Sequence, residues 1–378
     1  LYNKIGGEKL LEINKIHNMN CLDGLKLLDD ESINCCVTSP PYYALRDYGI
    51  PGTKWPELKY FPMTGIPYEV EVSEWIGCLG LEPTIEMFIA HIVLVFREVK
   101  RALKNDGTLW INFGDSFVGT GGNRKNEVEN ELFNKQQSHN PKDGRYERNK
   151  RAKIDGLKVK DLIGIPWRVA FALQADGWYL RMDNIWNKPS CMPEAVKDRT
   201  TKSHEYMFLL SKNKDYYYDN EAIKEPCVNG DPNPPRGSIG VLGNLNSGRR
   251  LKGNAKTFRG GGTYTNNQSF NNSLKVVRES NGNKPNESLL RNKRSVWTVS
   301  TDKFSEAHFA TFPPKLIEPC ILAGCPVGGI TLDPFMGSGT VASKSLELQR
   351  NFIGFEINTE YVKLAEDYRL NEVQIKIV

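Results

Sequence analysis

Near its C-terminal end the chain carries GGITLDPFMGSGTVASKSLELQRNFIGFEIN, residues 328–358, and this stretch restricts the possible folds more than any other. A short apolar run ends at Asp333, Gly337-Ser338-Gly339 follows, a helix-like segment leads away, and a second apolar run ends at Glu356, twenty-three residues after the first acid. Strand, glycine turn, helix, strand and acid in that order is a unit of parallel sheets covered by helices. Gly337 and Gly339 permit a tight turn and close approach of backbone to a ligand. A carboxylate at the end of the next strand can bind ribose hydroxyls. Gly-Ser-Gly by itself would also serve as a plain strand-to-helix turn, and it is the flanking acids that point to a ligand.

The N-terminal half repeats the alternation. Residues 13–19 (INKIHNM) read as a strand, 23–30 as a short helix, and 33–38 (INCCVT) as a buried strand stopped by Pro40-Pro41. The segment TIEMFIAHIVLVFREVKRAL has apolar residues at helical spacing and a basic end, after which Asn105-Asp106-Gly107 is expected to turn the chain into the strand TLWINF. A second passage runs from the helix-like IPWRVAFALQADG through YLRMDNIWNK to HEYMFLLSK.

Two stretches break this pattern. Residues 119–155 are rich in Gly, Asn and charge and too long for an ordinary connection, so they read as an excursion or loop that can close over a ligand. Residues 228–295 hold twelve Lys/Arg against three Asp/Glu, an excess of nine that leaves the rest of the chain net negative by four. Such a composition suits a solvated linker. Phe258, Tyr264, Phe270 and Trp297 lie among or beside the cations, however, and that mixture also suits a phosphate backbone with exposed bases. The eight cysteines show no Cys-x-x-Cys pair or zinc-like spacing and read as reduced thiols. With no run of eighteen apolar residues and no secretory-type leader, a soluble cytoplasmic protein without a membrane partner or metal is expected.

A second motif, Thr38-Ser39-Pro40-Pro41-Tyr42, stands at the C-terminal end of an expected strand, where open α/β sheets place their sites. Together with Asp-Pro-Phe-x-Gly-Ser-Gly-Thr (333–340) and Phe-Ile-Gly-x-Glu (352–356), it resembles the beta-class DNA amino-methyltransferases, the N4-cytosine and N6-adenine DNA methylases. The resemblance covers residues 13–118, 160–220 and 305–370 and implies a circularly permuted, Rossmann-like S-adenosylmethionine-dependent sheet. Seven strands are expected, the last antiparallel, with the N-terminal strand placed beside the one ending at Glu356. The implied organisation is a catalytic half at 1–118 and 156–221, an insertion at 119–155, a target-recognition region at 222–297 and a cofactor-binding half at 298–378.

Carried over by position, the resemblance assigns Ser39, Pro40, Pro41 and Tyr42 to catalysis. It assigns Asp333, Phe335, Gly337, Ser338, Gly339, Thr340, Glu356 and Ile357 to S-adenosylmethionine, which leaves as S-adenosylhomocysteine. Met19-Asn20-Cys21-Leu22 stands where the family usually has Gly-Asp-Cys-Leu, so Asn20 replaces an acid that contacts the cofactor adenine, beside Cys21. AHFATFPPKLIEPCI resembles a further cofactor element and brings in Ala310, Phe312 and Pro313. An exocyclic amine is a weak nucleophile because its lone pair is delocalised into the ring. Ser39 oxygen and the Pro40 carbonyl would accept its two hydrogens and leave the lone pair aimed at the methyl group. Tyr42 would stack on a base flipped out of double-stranded DNA.

Arg249, Arg250, Arg259, Arg291 and Arg294 are candidate DNA contacts. Ser before Pro-Pro-Tyr favours cytosine N4 as the target, with adenine N6 as the alternative; a noncatalytic DNA-binding subunit is the reading from another class. A homodimer and a cognate restriction endonuclease stay open as partners.

Overall fold

A computed structural model describes residues 11–44, 49–118, 156–191, 193–226, 290–301, 312–371 and 373. The insertion at 119–155, most of 222–297, and Ala310, Arg249, Arg250 and Arg259 lie outside the described residues. Two compact units emerge, Leu1–Ala222 with Arg294–Val378, and Ile223–Lys293.

In chain order the larger unit holds β1 (Lys15–Asn18), α1 (Cys21–Lys26), β2 (Ile33–Thr38), β3 (Thr53–Trp55), β4 (Leu58–Tyr60), β5 (Val70–Val72), β6 (Trp75–Gly77), α2 (Ile85–Ala102), β7 (Leu103–Phe113), α3 (Ile165–Ala175), β8 (Tyr179–Asn187) and β9 (His204–Ser211). The smaller unit contributes β10 (Glu225–Pro226) and β11 (Leu290–Arg291). The larger unit resumes with β12 (Val296–Thr298), α4 (Pro314–Gly324), β13 (Ile330–Asp333), α5 (Thr340–Glu347), β14 (Asn351–Glu356) and α6 (Thr359–Leu364).

The main sheet has eight strands in the order β1-β14-β13-β2-β7-β9-β8-β12. All neighbours pair in parallel except β9, which runs against both β7 and β8. This is the expected sheet with its reversed strand, extended at one edge by β12. The permutation is visible in β1, near the start of the chain, which pairs in parallel with β14, near its end, with Asn18 opposite Glu356.

The sheet is covered on both sides, which explains why Cys35, Cys36 and Val37 are buried in succession on β2. On β7, Leu109, Ile111 and Phe113 join the core shared with α1, α2 and α3. The intervening Trp110 faces α4, as strand alternation requires. Gly324 of α4 lets that helix come close, since a Cβ there would sit 2.4 Å from Thr108 Oγ1 and 2.9 Å from Cys35 Sγ. α2 starts at Thr84, whose side chain accepts from the Met87 N–H, and it carries Lys100 and Arg101 in its last turn, both favourable to the helix dipole.

Asn105-Asp106-Gly107 does not precede the strand as a turn. It lies within β7, where pairing jumps from Ile33↔Leu103 to Cys35↔Thr108, so residues 104–107 bulge out of a continuous strand. Trp297 also departs from the sequence reading. It is 6% exposed on β12, next to Trp110, and serves the core rather than presenting a face to nucleic acid. In the smaller unit, β10 and β11 pair antiparallel and Arg291 Nε donates to Glu225 Oε1 at 3.0 Å. Among the described residues no helix is long and apolar enough to cross a membrane.

Candidate active site

The parallel strands β1, β14, β13, β2 and β7 all end at one edge of the sheet, and a cavity of about 390 Å³ opens there. Met19, Asn20 and Cys21 after β1, Ser39 to Tyr42 after β2, Asp333 to Ser338 after β13, and Phe355 to Asn358 around the end of β14 all line it. Two motifs almost three hundred residues apart in sequence therefore share one wall. Thr38 Oγ1 donates to Asp333 Oδ1 at 2.6 Å and ties them together.

Backbone groups dominate the glycine-turn end. Gly337 and Gly339 both have positive φ, +54° and +80°, the region that glycine enters without strain. A Cβ on Gly339 would lie 2.8 Å from Ala365 Cβ, so small size is needed there as well. Glu356 Oε2 accepts from the Gly337 N–H and Oε1 from the Asn358 N–H, each at 2.8 Å. The acid is thus clamped across the turn. Burial raises its pKa, opposed by those backbone bonds. Asp333, 1% exposed, has its pKa pushed up to about 7 by burial. The bonds from Thr38 and the Phe335 N–H work against that rise.

These residues fit S-adenosylmethionine. Ser338 Oγ is buried in the turn with no hydrogen-bond partner, a polar atom left for a ligand. Phe335, Phe312, Ile357 and Tyr361 supply apolar and aromatic surface around a clamped carboxylate. Thr340 also lines the cavity, whereas Gly339 and Pro313 act one step behind it, Gly339 as N-cap of α5 and Pro313 as N-cap of α4. Asn20 caps α1, its Oδ1 accepting from the Leu22 N–H at 2.8 Å and its Nδ2 donating to Thr53 Oγ1 at 2.6 Å. One lone pair of its oxygen is left for a further donor. Burial pushes the Cys21 thiol up to about 12, which keeps it protonated and unreactive. Among the described residues no group of three or more His, Cys, Asp or Glu is placed to hold a metal ion.

Side chains build the opposite end. Tyr42 Oη lies 2.9 Å from Glu205 Oε2 and 3.0 Å from Asn112 Oδ1, and is also hydrogen-bonded with Ser39. Burial and the nearby Glu205 carboxylate raise the Tyr42 pKa well above the ordinary phenol value, so it stays neutral. Gly114 makes the cluster possible, because a Cβ there would lie 2.8 Å from Tyr42 Cε2 and 3.2 Å from the Glu205 carboxyl. Glu205 pairs with Lys188, whose ammonium stands 4.1 Å from the centre of the Trp186 ring. Trp186, Lys188, Asn112 and Glu205 all line the cavity, and sequence reasoning singled out none of them. Asn112 and Lys188 sit at strand ends, so the strand-end rule could have found them. Glu205 begins the reversed strand and reaches the site because that strand's amino end lies beside the others' carboxyl ends.

The Pro-Pro-Tyr turn is braced from behind. Gly80, with φ +95°, packs so closely that a Cβ would meet Tyr42 O at 3.0 Å, and its carbonyl accepts from the Ala44 N–H at 2.7 Å. Glu82 Oε2 accepts from the Gly80 N–H at 2.8 Å, while Oε1 bonds Nδ1 of buried His91, whose ring stacks on Trp55 and Trp75.

A permuted Rossmann-like sheet with this cavity at its carboxyl edge defines an S-adenosylmethionine-dependent methyltransferase. Comparison with known proteins narrows the class. Residues 33–367 match the family model described as DNA methylase, N6/N4 type. The chain is 37% identical to the type II methyltransferase M.SmaI of Serratia marcescens, over 95% of this chain and 93% of that protein. It is 38% identical to M.Cfr9I of Citrobacter freundii, over 96% and 90%. The solved structure of the PvuII DNA methyltransferase (cytosine-N4-specific) superposes with a TM-score of 0.52 at 15% identity, covering 97% of this chain and 93% of that one, and shows the same fold. The chain belongs to the DNA methylase family and is a beta-class amino-methyltransferase that uses S-adenosylmethionine.

Proposed function

We propose that this enzyme methylates N4 of a cytosine flipped out of double-stranded DNA. The observation that carries the reading is the Thr38–Asp333 hydrogen bond of 2.6 Å, because it sets the Ser-Pro-Pro-Tyr turn and the glycine turn on one cavity. When bound at the glycine turn, S-adenosylmethionine supplies an electrophilic methyl group. Ser39 Oγ and the Pro40 carbonyl accept the two N–H hydrogens of the base amine, so its lone pair is freed from the ring as it becomes tetrahedral. Tyr42 offers its ring to the base while its hydroxyl stays tethered to Glu205 and Asn112. Flipping is required because the amine is engaged and shielded inside a duplex. Ser39 supports cytosine, since adenine-specific enzymes of this class usually carry Asp before Pro-Pro-Tyr.

Asp333, Phe335, Gly337, Ser338, Thr340, Glu356 and Ile357 form the cofactor seat, with Asn20 and Phe312 beside it. The basic stretch 228–295 is the target-recognition region, positioned by phosphate contacts. A homodimer and a cognate restriction endonuclease are compatible partners, as is a cytoplasmic location. Incubating the enzyme with tritiated S-adenosylmethionine and unmethylated bacterial DNA, followed by nucleoside analysis, tests the reading. Label in N4-methylcytosine supports it; label in N6-methyladenine moves the target base.

A further inference from the structure

The polar wall at the base end of the cavity holds more charge than amine binding requires. Lys188 and Glu205 are ion-paired with side chains only 20% and 17% exposed. Removing two charges from water is costly, and such a pair is poor evidence of a stabilising role by itself. Its position in the cavity points instead to a ligand.

With the amine hydrogens taken by Ser39 and Pro40, a flipped cytosine still presents two acceptors in a row on the same edge, the ring N3 and the carbonyl O2. These need donors once they leave water. Asn112 Nδ2 gives one of its two N–H bonds to Tyr206 O at 3.0 Å, and Trp186 Nε1 gives its only one to Val299 O at 2.8 Å. The single proton of Tyr42 Oη is shared between Glu205 and Asn112. Lys188 Nζ has three N–H bonds, and Glu205 Oε1 takes one. The ammonium is held in place by that carboxylate and by the Trp186 ring beneath it. A contiguous chain of hydrogen bonds, Ser39 to Tyr42 to Glu205 to Lys188, joins it to the amine-binding end.

We propose that Lys188 is the specificity-determining residue of the base pocket, donating to the acceptors N3 and O2 of the target cytosine, with Glu205 orienting it. Adenine presents N1 beside its amine but a C–H where cytosine has O2. An ammonium poised for two acceptors therefore loses one charge-assisted hydrogen bond to adenine, a discrimination of about 10- to 100-fold. The inference rests on the cytosine reading above.

The test uses the full chain, tritiated S-adenosylmethionine and unmethylated bacterial genomic DNA, and measures N4-methylcytosine and N6-methyladenine separately. Cofactor affinity is followed in parallel by calorimetry. Lys188→Met should lower kcat/KM for cytosine about 10- to 100-fold and raise the adenine share of the residual label, with S-adenosylmethionine affinity unchanged. A merely structural role would not move the ratio of the two bases. Because Lys188→Met leaves Glu205 buried without its cation, the double variant Lys188→Met/Glu205→Gln is measured beside it and should show the same pattern. Wild-type label in cytosine with an unaltered cytosine rate in both variants overturns the assignment, as does a parallel loss of cofactor binding and turnover. Wild-type label in adenine instead removes the cytosine reading, and this inference with it.

Discussion

The two ends of the active-site cavity are built in opposite ways. At the cofactor end a few contiguous residues do most of the work, and they do it with backbone: two glycines at positive φ, and two N–H groups clamped on Glu356. At the base end the groups are side chains delivered by four strands, Ser39 and Tyr42 after β2, Asn112 on β7, Lys188 after β8 and Glu205 on β9. A backbone-built seat needs particular residues at close spacing and so leaves a motif. A side-chain-built wall needs only that the fold bring distant positions together, and so leaves almost none.

If the division is real, damage at one end should spare the other. The largest effect is expected from Ser39→Ala, which removes one of the two acceptors proposed for the reacting amine. Turnover should fall about 10²- to 10³-fold, by analogy with loss of one preorganised hydrogen-bonding group in a transition state, while calorimetry finds cofactor affinity intact. Equal loss of both would join the two ends into one unit. Glu356→Gln is the reciprocal case. One carboxylate oxygen becomes an NH₂ facing a backbone N–H, so the Kd for S-adenosylmethionine should rise about tenfold, with turnover at saturating cofactor largely kept.

Gly339→Ala probes how far the cofactor end depends on backbone shape. The new Cβ meets Ala365 at 2.8 Å and alanine would have to hold the left-handed φ of +80°, so a loss of at least about 1–2 kcal/mol is expected, read as a lower melting temperature. An unchanged melting temperature would mean that the turn can relax. A pH dependence gives the last test. Asp333 has a folded pKa of about 7, above the unfolded value of about 3.9, so the folded state binds its proton more tightly. Its contribution is therefore fully present below about pH 4 and is lost as pH rises through about 7. Asp333→Asn should flatten the fall in melting temperature between about pH 4 and pH 7; a wild-type profile in the variant would show that this carboxyl does not titrate in that window.

Parts of the molecule read directly from sequence share a property. The glycine turn, the strand INCCVT and the long helix Ile85–Ala102 each follow from local periodicity and turn residues, with no tertiary partner needed to place them. The placement of β1 beside β14 came from the family resemblance, and the sheet shows that pairing. Where the reading departed from the structure, a tertiary contact was responsible. Trp297 stands among cations in sequence yet joins the sheet through β12, because a strand at the edge of a covered sheet buries its aromatic against Trp110. Asn105-Asp106-Gly107 looks like the turn before a strand, but pairing of Leu103 with Ile33 draws it into β7 as a bulge. The short span Val296–Thr298 carried no signal strong enough to predict an eighth strand.

The sequence by itself determined that this chain forms a nucleotide-type α/β sheet, where its glycine turn and its Pro-Pro-Tyr turn fall, and which acids close the first of them. Those features depend on residues near one another along the chain, where backbone conformation and spacing act directly. Only the tertiary structure decided that Thr38 would reach Asp333, and that a glutamate near the start of a reversed strand would meet both a lysine just past the end of a forward one and a tyrosine hydroxyl. Those meetings depend on strand order and direction, set by burying the whole sheet at once, and no local stretch of sequence contains that information.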